Sequence, residues 1–134
     1  MPSRPFSARL DAELVDRLRR LSARDRVPVS QLVERLLEEA VRSEELPGIV
    51  FRSGPAGRRA GVLGGPDVWE IVRDLQGAVT AGSRDAVRHV VASTDLSEQQ
   101  VRLAASYYAS YPDEVDARIA DDATLTDRLV AGSV

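Results

Sequence analysis

The stretch Pro5-Phe6-Ser7-Ala8-Arg9-Leu10 decides how the N-terminal part of this chain folds. Its apolar residues, at positions 6, 8 and 10, alternate with Ser7 and Arg9, which is the period-two pattern of a half-buried strand. Helical patterning follows at once, so the short strand has no second strand nearby in its own chain to satisfy its backbone groups. The sequence therefore predicts that this strand pairs with the same strand of a second copy.

Two amphipathic helices are predicted after the strand. The first starts at Asp11, a favoured N-cap residue, and the second at Ser30, whose hydroxyl can cap the first free N–H groups. The apolar face of the second helix is too wide for one short helix to cover, so a second subunit is expected to cover it. The predicted dimer core consists of Phe6, Ala8, Leu10, Leu14, Leu18, Leu21, Leu32, Val33, Leu36 and Leu37.

Strand, helix, turn and helix in this order resemble the ribbon-helix-helix DNA-binding domain of the Arc, MetJ and CopG repressors over residues 5–42. In that family two chains intertwine, and the paired strands form a ribbon whose outward side chains read bases in the major groove. The resemblance implies that Ser7 and Arg9 read bases, because arginine can donate two hydrogen bonds to guanine and a serine hydroxyl can bond to several base edges.

The same resemblance implies two phosphate contacts. In the family the start of the second helix, here Ser30, docks on a DNA phosphate, which agrees with the tendency of helix N-termini to bind anions. Pro5 departs from the family, which often has a third polar reader there, and this leaves Arg4 to reach a phosphate. The implied DNA-binding residues are Arg4, Ser7, Arg9 and Ser30.

The charge of the chain is divided unevenly. Residues 1–42 hold nine arginines and seven acids, giving +2, whereas residues 43–134 hold nine arginines and fourteen acids, giving -5, and the two sum to the net charge of -3. This asymmetry suggests a mildly basic DNA-binding end and an acidic remainder with a different partner. The 134 residues contain no membrane-spanning apolar run, no signal peptide and no cysteine, which together favour a cytoplasmic protein.

A second module is predicted after the break at Leu46-Pro47-Gly48. It should contain strands at 49–52 and 59–63, joined by a glycine-rich loop, and a helix with Pro66 in its first turn. Further helices are expected at 85–92, 98–110 and 113–120, the second of these with a Ser97 and Gln100 capping box. The predicted fold is therefore mainly α, with a ribbon-helix-helix domain at 1–43, a linker at 44–48, a helical helix-turn-helix-like module with a short β-hairpin at 49–120, and an acidic tail at 121–134.

The second module resembles the small helical modules catalogued as "domain of unknown function 433", which are similar to helix-turn-helix domains and recur in bacterial antitoxins. The resemblance rests on Gly57-Arg58-Arg59, Pro66-Asp67-Val68-Trp69, and Leu96-Ser97 through Tyr107-Tyr108. In that family the neighbouring gene often encodes a PIN-type ribonuclease toxin. The resemblance thus implies a VapB-like antitoxin that binds a toxin through residues 47–134.

A helix-turn-helix interpretation would make residues 98–110 a recognition helix, but Glu98 at its start would repel phosphate, so protein contact is favoured for this half. Tyrosines are typical of interfaces because they combine contact area with a polar group. The candidate partner-binding residues are Tyr107, Tyr108, Tyr111, Arg118 and Arg128. Trp69 is an interface candidate as well, although its apolar helix stripe fits a core position more simply.

No motif for catalysis, metal binding or a cofactor is found. His89 is the only histidine and cysteine is absent, so a metal site is not expected, and the glycines lack the spacing of a phosphate-binding loop. Three functions remain open: an antitoxin that binds operator DNA as a homodimer and neutralises a PIN-type toxin, a repressor without a toxin whose second module senses a ligand or drives oligomerisation, and a protein-binding dimer without DNA affinity. The tail could order on a partner or pack on its own domain.

Overall fold

The computed structural model describes residues 2–132 and divides the chain into two compact units, residues 1–41 and 42–134. Six helices and one two-stranded antiparallel hairpin form the secondary structure of the described residues. The predicted mainly helical fold class is confirmed. No helix within residues 2–132 combines the length and apolar character that crossing a membrane requires.

The first unit begins with an extended segment, residues 2–10, which we call the N-terminal arm. The arm forms neither a helix nor a paired strand, because the single chain offers its backbone no strand to bond with. Helix α1, Ala12–Asp25, follows, and its predicted cap is confirmed: the Asp11 carboxylate accepts a hydrogen bond from the Leu14 N–H at 3.2 Å. No residue of α1 is buried.

A left-handed residue closes α1 and leads into helix α2, Val29–Glu45. Arg26 has φ 55°, and the Ser22 hydroxyl donates to the Val27 carbonyl at 2.5 Å across the turn. Helix α2 begins one residue earlier than predicted. The Pro28 carbonyl accepts from the Leu32 N–H at 3.0 Å, which puts Ser30 inside the first turn, so the predicted start of α2 at a Ser30 cap was wrong.

The second unit opens with the hairpin, β1 at Ile49–Gly54 and β2 at Gly57–Val62. Its register pairs Ile49 with Val62 and Gly54 with Gly57, so the turn contains only two residues and is shorter than the predicted loop. Gly57 has φ 99°, a conformation that glycine adopts without steric cost. Leu63, predicted to end the strand, lies outside it and is 68% exposed.

Four helices complete this unit: α3 at Val68–Thr80, α4 at Ala86–Ser93, α5 at Glu98–Ser110 and α6 at Pro112–Gly132. Asp67 is the N-cap of α3, so Pro66 precedes the cap instead of lying in the first turn as predicted. The bounds of α5 and its capping box are confirmed, with Ser97 and Gln100 each donating a backbone N–H to the other's side chain at 2.9 and 3.1 Å.

Helix α6 is much longer than the predicted helix at 113–120. Residues 121–132 of the predicted tail continue it, and residues 133 and 134 lie outside the described residues. Its last three turns are exposed apart from the half-buried Asp122.

Helix α3 is the centre of the second unit, since α4, α5, α6 and β2 all pack against it. Trp69 is partly buried and packs at the edge of the core. The buried core residues are Ile49, Ala60, Val62, Val68, Ile71, Val72, Ala78, Val90, Val101, Ala104, Tyr107 and Val115.

Candidate nucleic-acid interface and polar clusters

The N-terminal arm lies entirely in solvent. Arg4, Ser7 and Arg9 are exposed, and none of them makes a hydrogen bond or ion pair with any residue between 2 and 132. The apolar side of the arm is uncovered too, since the Phe6 side chain is 87% exposed. Burying a phenylalanine side chain stabilises a protein by about 1.5–3 kcal/mol. A surface that covers Phe6 would therefore stabilise the arm more than any other single contact.

The predicted dimer core is largely uncovered in the single chain. Leu10, Leu14 and Leu37 are 49%, 40% and 56% exposed, while Leu32 is buried at 1%. Ala8 is exposed, and the remaining members, Leu18, Leu21, Val33 and Leu36, are half-buried. An apolar face of this extent fits a surface that a second subunit would cover, and the dimer itself stays a prediction.

The start of α2 is open to an anion. Ser30 is exposed in its first turn, and that turn contains no acidic residue to compete for the free N–H groups. On α1, Arg24 donates to the Asp25 carboxylate at 2.8 Å, and this bond raises the pKa of Arg24. Arg17 and Arg20, on the same outer side of α1, are exposed.

Tyr107 is a structural residue of the second unit. Its side chain is wholly buried, so the expectation that it offers surface to a partner needs correction. Arg42 donates to its hydroxyl at 2.7 Å and to Glu114 at 3.0 Å, and the hydroxyl itself donates to Glu114. Burial, reinforced by the bond to Glu114, raises the pKa of Tyr107 far above its ordinary value.

The other partner-binding candidates differ in accessibility. The Tyr108 hydroxyl donates to Asp116 at 2.7 Å, which raises the pKa of Tyr108, and the ring of Tyr111 lies 3.9 Å beneath the Arg42 guanidinium. Arg118 donates to two backbone carbonyls of the hairpin, those of Ala56 in the turn and Arg58 in β2, at 2.7 and 2.6 Å. Arg128 is exposed on the last turns of α6.

An arginine and aspartate cluster lies on the hairpin, and the sequence analysis did not anticipate it. Arg52 and Arg59 are opposite each other in the register, a pairing of like charges that is unfavourable by itself. Asp67, 7% exposed, neutralises part of this charge: Arg52 donates to it at 3.2 Å, Arg59 donates to it through Nε, and the Trp69 indole donates at 3.3 Å. The signal in the sequence was Gly57-Arg58-Arg59 near Asp67.

An exposed arm followed by two helices with uncovered apolar faces is the single-chain form of a ribbon-helix-helix architecture. Residues 3–42 match the family model described as a ribbon-helix-helix domain. The N-terminal part of the chain therefore carries this domain, as the sequence predicted. No curated protein matches the chain, and no solved structure matches it.

Proposed function

We propose that this chain is a DNA-binding transcription regulator that acts as a homodimer and has no enzymatic activity. The observation that carries the proposal is the N-terminal arm, where polar residues alternate with Phe6 and all side chains are exposed within a segment that matches the ribbon-helix-helix domain. Domains of this class typically bind DNA as dimers, with a two-stranded ribbon in the major groove.

In the proposed complex the arms of two chains pair antiparallel. Their apolar sides close over the dimer core, and Ser7 and Arg9 reach base edges. Arg4 and the N–H groups beside Ser30 contact phosphates and fix the register of the protein on the duplex. Because residues 1–42 carry only +2, nonspecific affinity should be modest, and dimer symmetry should supply much of the specific affinity.

The test is binding of the full-length protein to a duplex covering its own promoter, at several salt concentrations. Arg9→Ala should weaken specific binding by about 1–3 kcal/mol, since a bidentate arginine to guanine contact contributes that much discrimination. Arg88→Ala is the matched control, because Arg88 is an exposed arginine of the second unit. Equal affinities of the two variants would exclude the base contact, and binding no tighter than to random DNA would favour a protein-binding dimer.

At a finer level we propose that the protein is an antitoxin that represses its own operon and neutralises a PIN-type ribonuclease through its second unit. Support comes from the acidic charge of this half and from the outer turns of α6, where Leu125 and Leu129 are 56% and 66% exposed. A ribonuclease with a basic RNA-binding cleft would complement that charge. Arg128 is the better candidate to enter a toxin's acidic metal site, because Arg118 already holds the hairpin turn.

This finer proposal is tested with the product of the adjacent gene. Co-expression should yield a complex, and addition of the antitoxin should inhibit RNA cleavage by a PIN-like neighbour. Arg128→Ala should weaken inhibition more than Arg88→Ala does. A neighbouring gene that encodes no nuclease, or a nuclease that stays active beside an excess of this protein, would contradict the antitoxin role and leave the DNA-binding role intact.

A repressor without a toxin is the second candidate. It is favoured by a groove of about 470 Å³ in the second unit, which lies within the usual size range of small-ligand sites. Such a protein would bind its operator without a neighbouring toxin, and a small ligand would alter that binding.

A further inference from the structure

The groove of the second unit lies between the hairpin turn, the start of α3 and the outer turns of α6. Its lining is mixed: charged side chains of both signs surround an apolar floor. Two walls can be distinguished, with Arg52 and Arg59 on the hairpin and Asp121 and Asp122 on α6. Arg118 of α6 also lines the groove but donates to hairpin carbonyls, and Asp67 and Glu70, at the start of α3, are bonded within the fold. Each wall contains a charged group that the fold leaves available.

The basic wall depends on glycines. A Cβ atom at Gly54 would lie 1.8 Å from Nη1 of Arg59, and one at Gly61 would lie 2.2 Å from Nη1 of Arg52, so both guanidinium groups lie across glycine backbone. Arg52 is committed to the fold, since it donates to Asp67 and to the Val62 and Gly65 carbonyls. Arg59 bonds to Asp67 through Nε alone, and its two terminal amino groups have no partner among residues 2–132.

The acidic wall belongs to α6. Asp122 accepts from Arg73 at 3.4 Å, whereas the exposed Asp121 has no hydrogen bond or ion pair anywhere in the described chain. Asp121 and Arg59 both line the groove, but no ion pair joins them. An available carboxylate and an available guanidinium therefore occupy the same groove without neutralising each other.

The floor between the two walls is apolar. The half-buried Trp69 lines the groove, as does Pro55. The indole N–H of Trp69 is bonded to Asp67 and the Arg73 guanidinium lies 5.2 Å from the ring centroid, so only the part of the ring that lines the groove is a contact surface. Leu125, 56% exposed, extends this floor along α6. A ligand that fits must carry an anionic group, a cationic group and an apolar part.

We propose that this groove binds a small zwitterion of the amino-acid class, either a free amino acid with an apolar side chain or a short apolar peptide. The ligand carboxylate accepts from the terminal amino groups of Arg59, a geometry in which arginine forms two parallel hydrogen bonds. The ligand ammonium group pairs with Asp121, and the apolar side chain contacts Trp69 and Leu125. The proposal concerns the groove alone, so it stands whether or not the chain binds a toxin.

Calorimetric titration of the full-length protein without DNA is the first test. The probes are L-leucine, L-phenylalanine and the dipeptide Leu-Leu, each compared with its N-acetyl and its C-terminal amide derivative. At least one parent compound should bind, and each derivative should bind about tenfold more weakly because one charged contact is lost. Tighter binding of the dipeptide would identify peptides as the source of the ligand. Absence of binding by all three parents, or equal binding of the derivatives, would overturn the proposal.

Two variants of α6 test whether Asp121 is the residue that binds the ligand ammonium group. Asp121→Asn should weaken binding of a parent compound about tenfold, because the ammonium contact is removed. Binding of the N-acetyl derivative, which has no ammonium group, should be unchanged. Asp127→Asn is the matched control, since Asp127 is an exposed acid of the same helix that does not line the groove. Equal effects of the two variants would contradict the assignment of the acidic wall.

Arg59→Lys tests the basic wall with the charge retained. It should weaken binding of a parent and of its N-acetyl derivative alike, because lysine cannot form the two parallel bonds. Thermal unfolding of the variant shows whether altering the bond between residue 59 and Asp67 destabilises the fold. A variant that is folded and binds normally would overturn the role of Arg59.

Discussion

The two units of this chain bury their apolar residues in different ways. Within residues 2–41 only Leu32 is buried, while Phe6, Leu10, Leu14 and Leu37 are largely in solvent. The second unit encloses twelve buried core residues around α3. Units of some forty residues without a core of their own usually depend on oligomerisation for stability, which agrees with the proposed dimer, whereas the second unit carries its own core.

Ion pairs do not divide as sharply, because each unit contains both exposed and more sheltered pairs; Arg35 and Glu39 of the first unit, for example, are 33% and 14% exposed. In the first unit the Arg24 and Asp25 side chains are 71% and 33% exposed, and pairs this exposed contribute little to stability. In the second unit the Asp67 side chain is only 10% exposed between two arginines. The difference in apolar burial therefore predicts stability that depends on protein concentration in the first unit and not in the second.

Leu36→Ala should have the largest effect. Leu36 is half-buried in the single chain and would be covered in the proposed dimer. The dimer would lose two such side chains, so the free energy of unfolding to separate chains should fall by about 4–10 kcal/mol per dimer, at 2–5 kcal/mol per site. Urea unfolding at several protein concentrations measures it, with the exposed Glu34→Ala of the same helix as control. A variant, or a parent protein, that is a stably folded monomer would refute the intertwined dimer.

Ile71→Ala tests the second unit. Ile71 is fully buried on α3, so the substitution should lower the free energy of unfolding by about 2–5 kcal/mol. The loss should be the same at every protein concentration. Val79→Ala, on the same helix but 63% exposed, should stay within about 0.5 kcal/mol of the parent. A concentration-dependent loss for Ile71→Ala would mean that the two units share one cooperative transition.

Tyr107→Phe removes a hydroxyl from the bonds that Arg42 and Glu114 share in the second unit. The free energy of unfolding should fall by about 1–3 kcal/mol, because the hydrogen bonds of the hydroxyl to the charged Arg42 and Glu114 are lost. Tyr111→Phe is the control, since the Tyr111 hydroxyl has no hydrogen bond in the described chain and its ring contact is kept.

Tyr107→Phe should also change how the free energy of unfolding depends on pH. Because burial raises the pKa of Tyr107, the phenol stays neutral in the folded chain at a pH where the unfolded chain ionises it, above about 10. Stability from this group is fully present below that pH and is lost as pH rises further. Urea unfolding between neutral and alkaline pH should show a smaller alkaline loss for Tyr107→Phe than for Tyr111→Phe, and equal slopes would contradict the assignment.

The smallest effects concern the helix starts of the first unit. Asp11→Ala should cost about 0.5–2 kcal/mol, because its carboxylate caps α1. Ser30→Ala should change stability by only a few tenths of a kcal/mol, because Ser30 is not a cap. Circular dichroism during thermal unfolding compares the two, and a larger loss for Ser30→Ala would restore the predicted cap.

Features with a local chemical signal were predictable from the sequence. The Asp11 cap and the capping box of α5 were found because a cap and its helix are neighbours in the chain. The length of α6 was missed because apolar periodicity weakens after Ala120. The absence of proline and glycine between Pro112 and Gly132 was the overlooked signal, since nothing in that stretch ends a helix.

Tertiary clusters were not predictable in the same way. Arg42 meets Tyr107 and Glu114 across 65 and 72 positions of sequence, and no spacing rule connects residues so far apart. The groove had a partial signal, because two arginines opposite each other in a hairpin require a counter-charge and Asp67 follows closely. The implied DNA-binding residues came from the resemblance, and their contacts await the promoter experiment.

The hydrogen bonds of Arg118 to the hairpin have a consequence for how this sequence can evolve. Its guanidinium binds the carbonyls of Ala56 and Arg58, which every amino acid possesses, and not their side chains. Mutations at either position can therefore accumulate while the hydrogen bonds from Arg118 of α6 to the hairpin are kept. Among homologues, position 56 at the groove and position 58 in β2 are free to diversify, while an arginine at position 118 should persist.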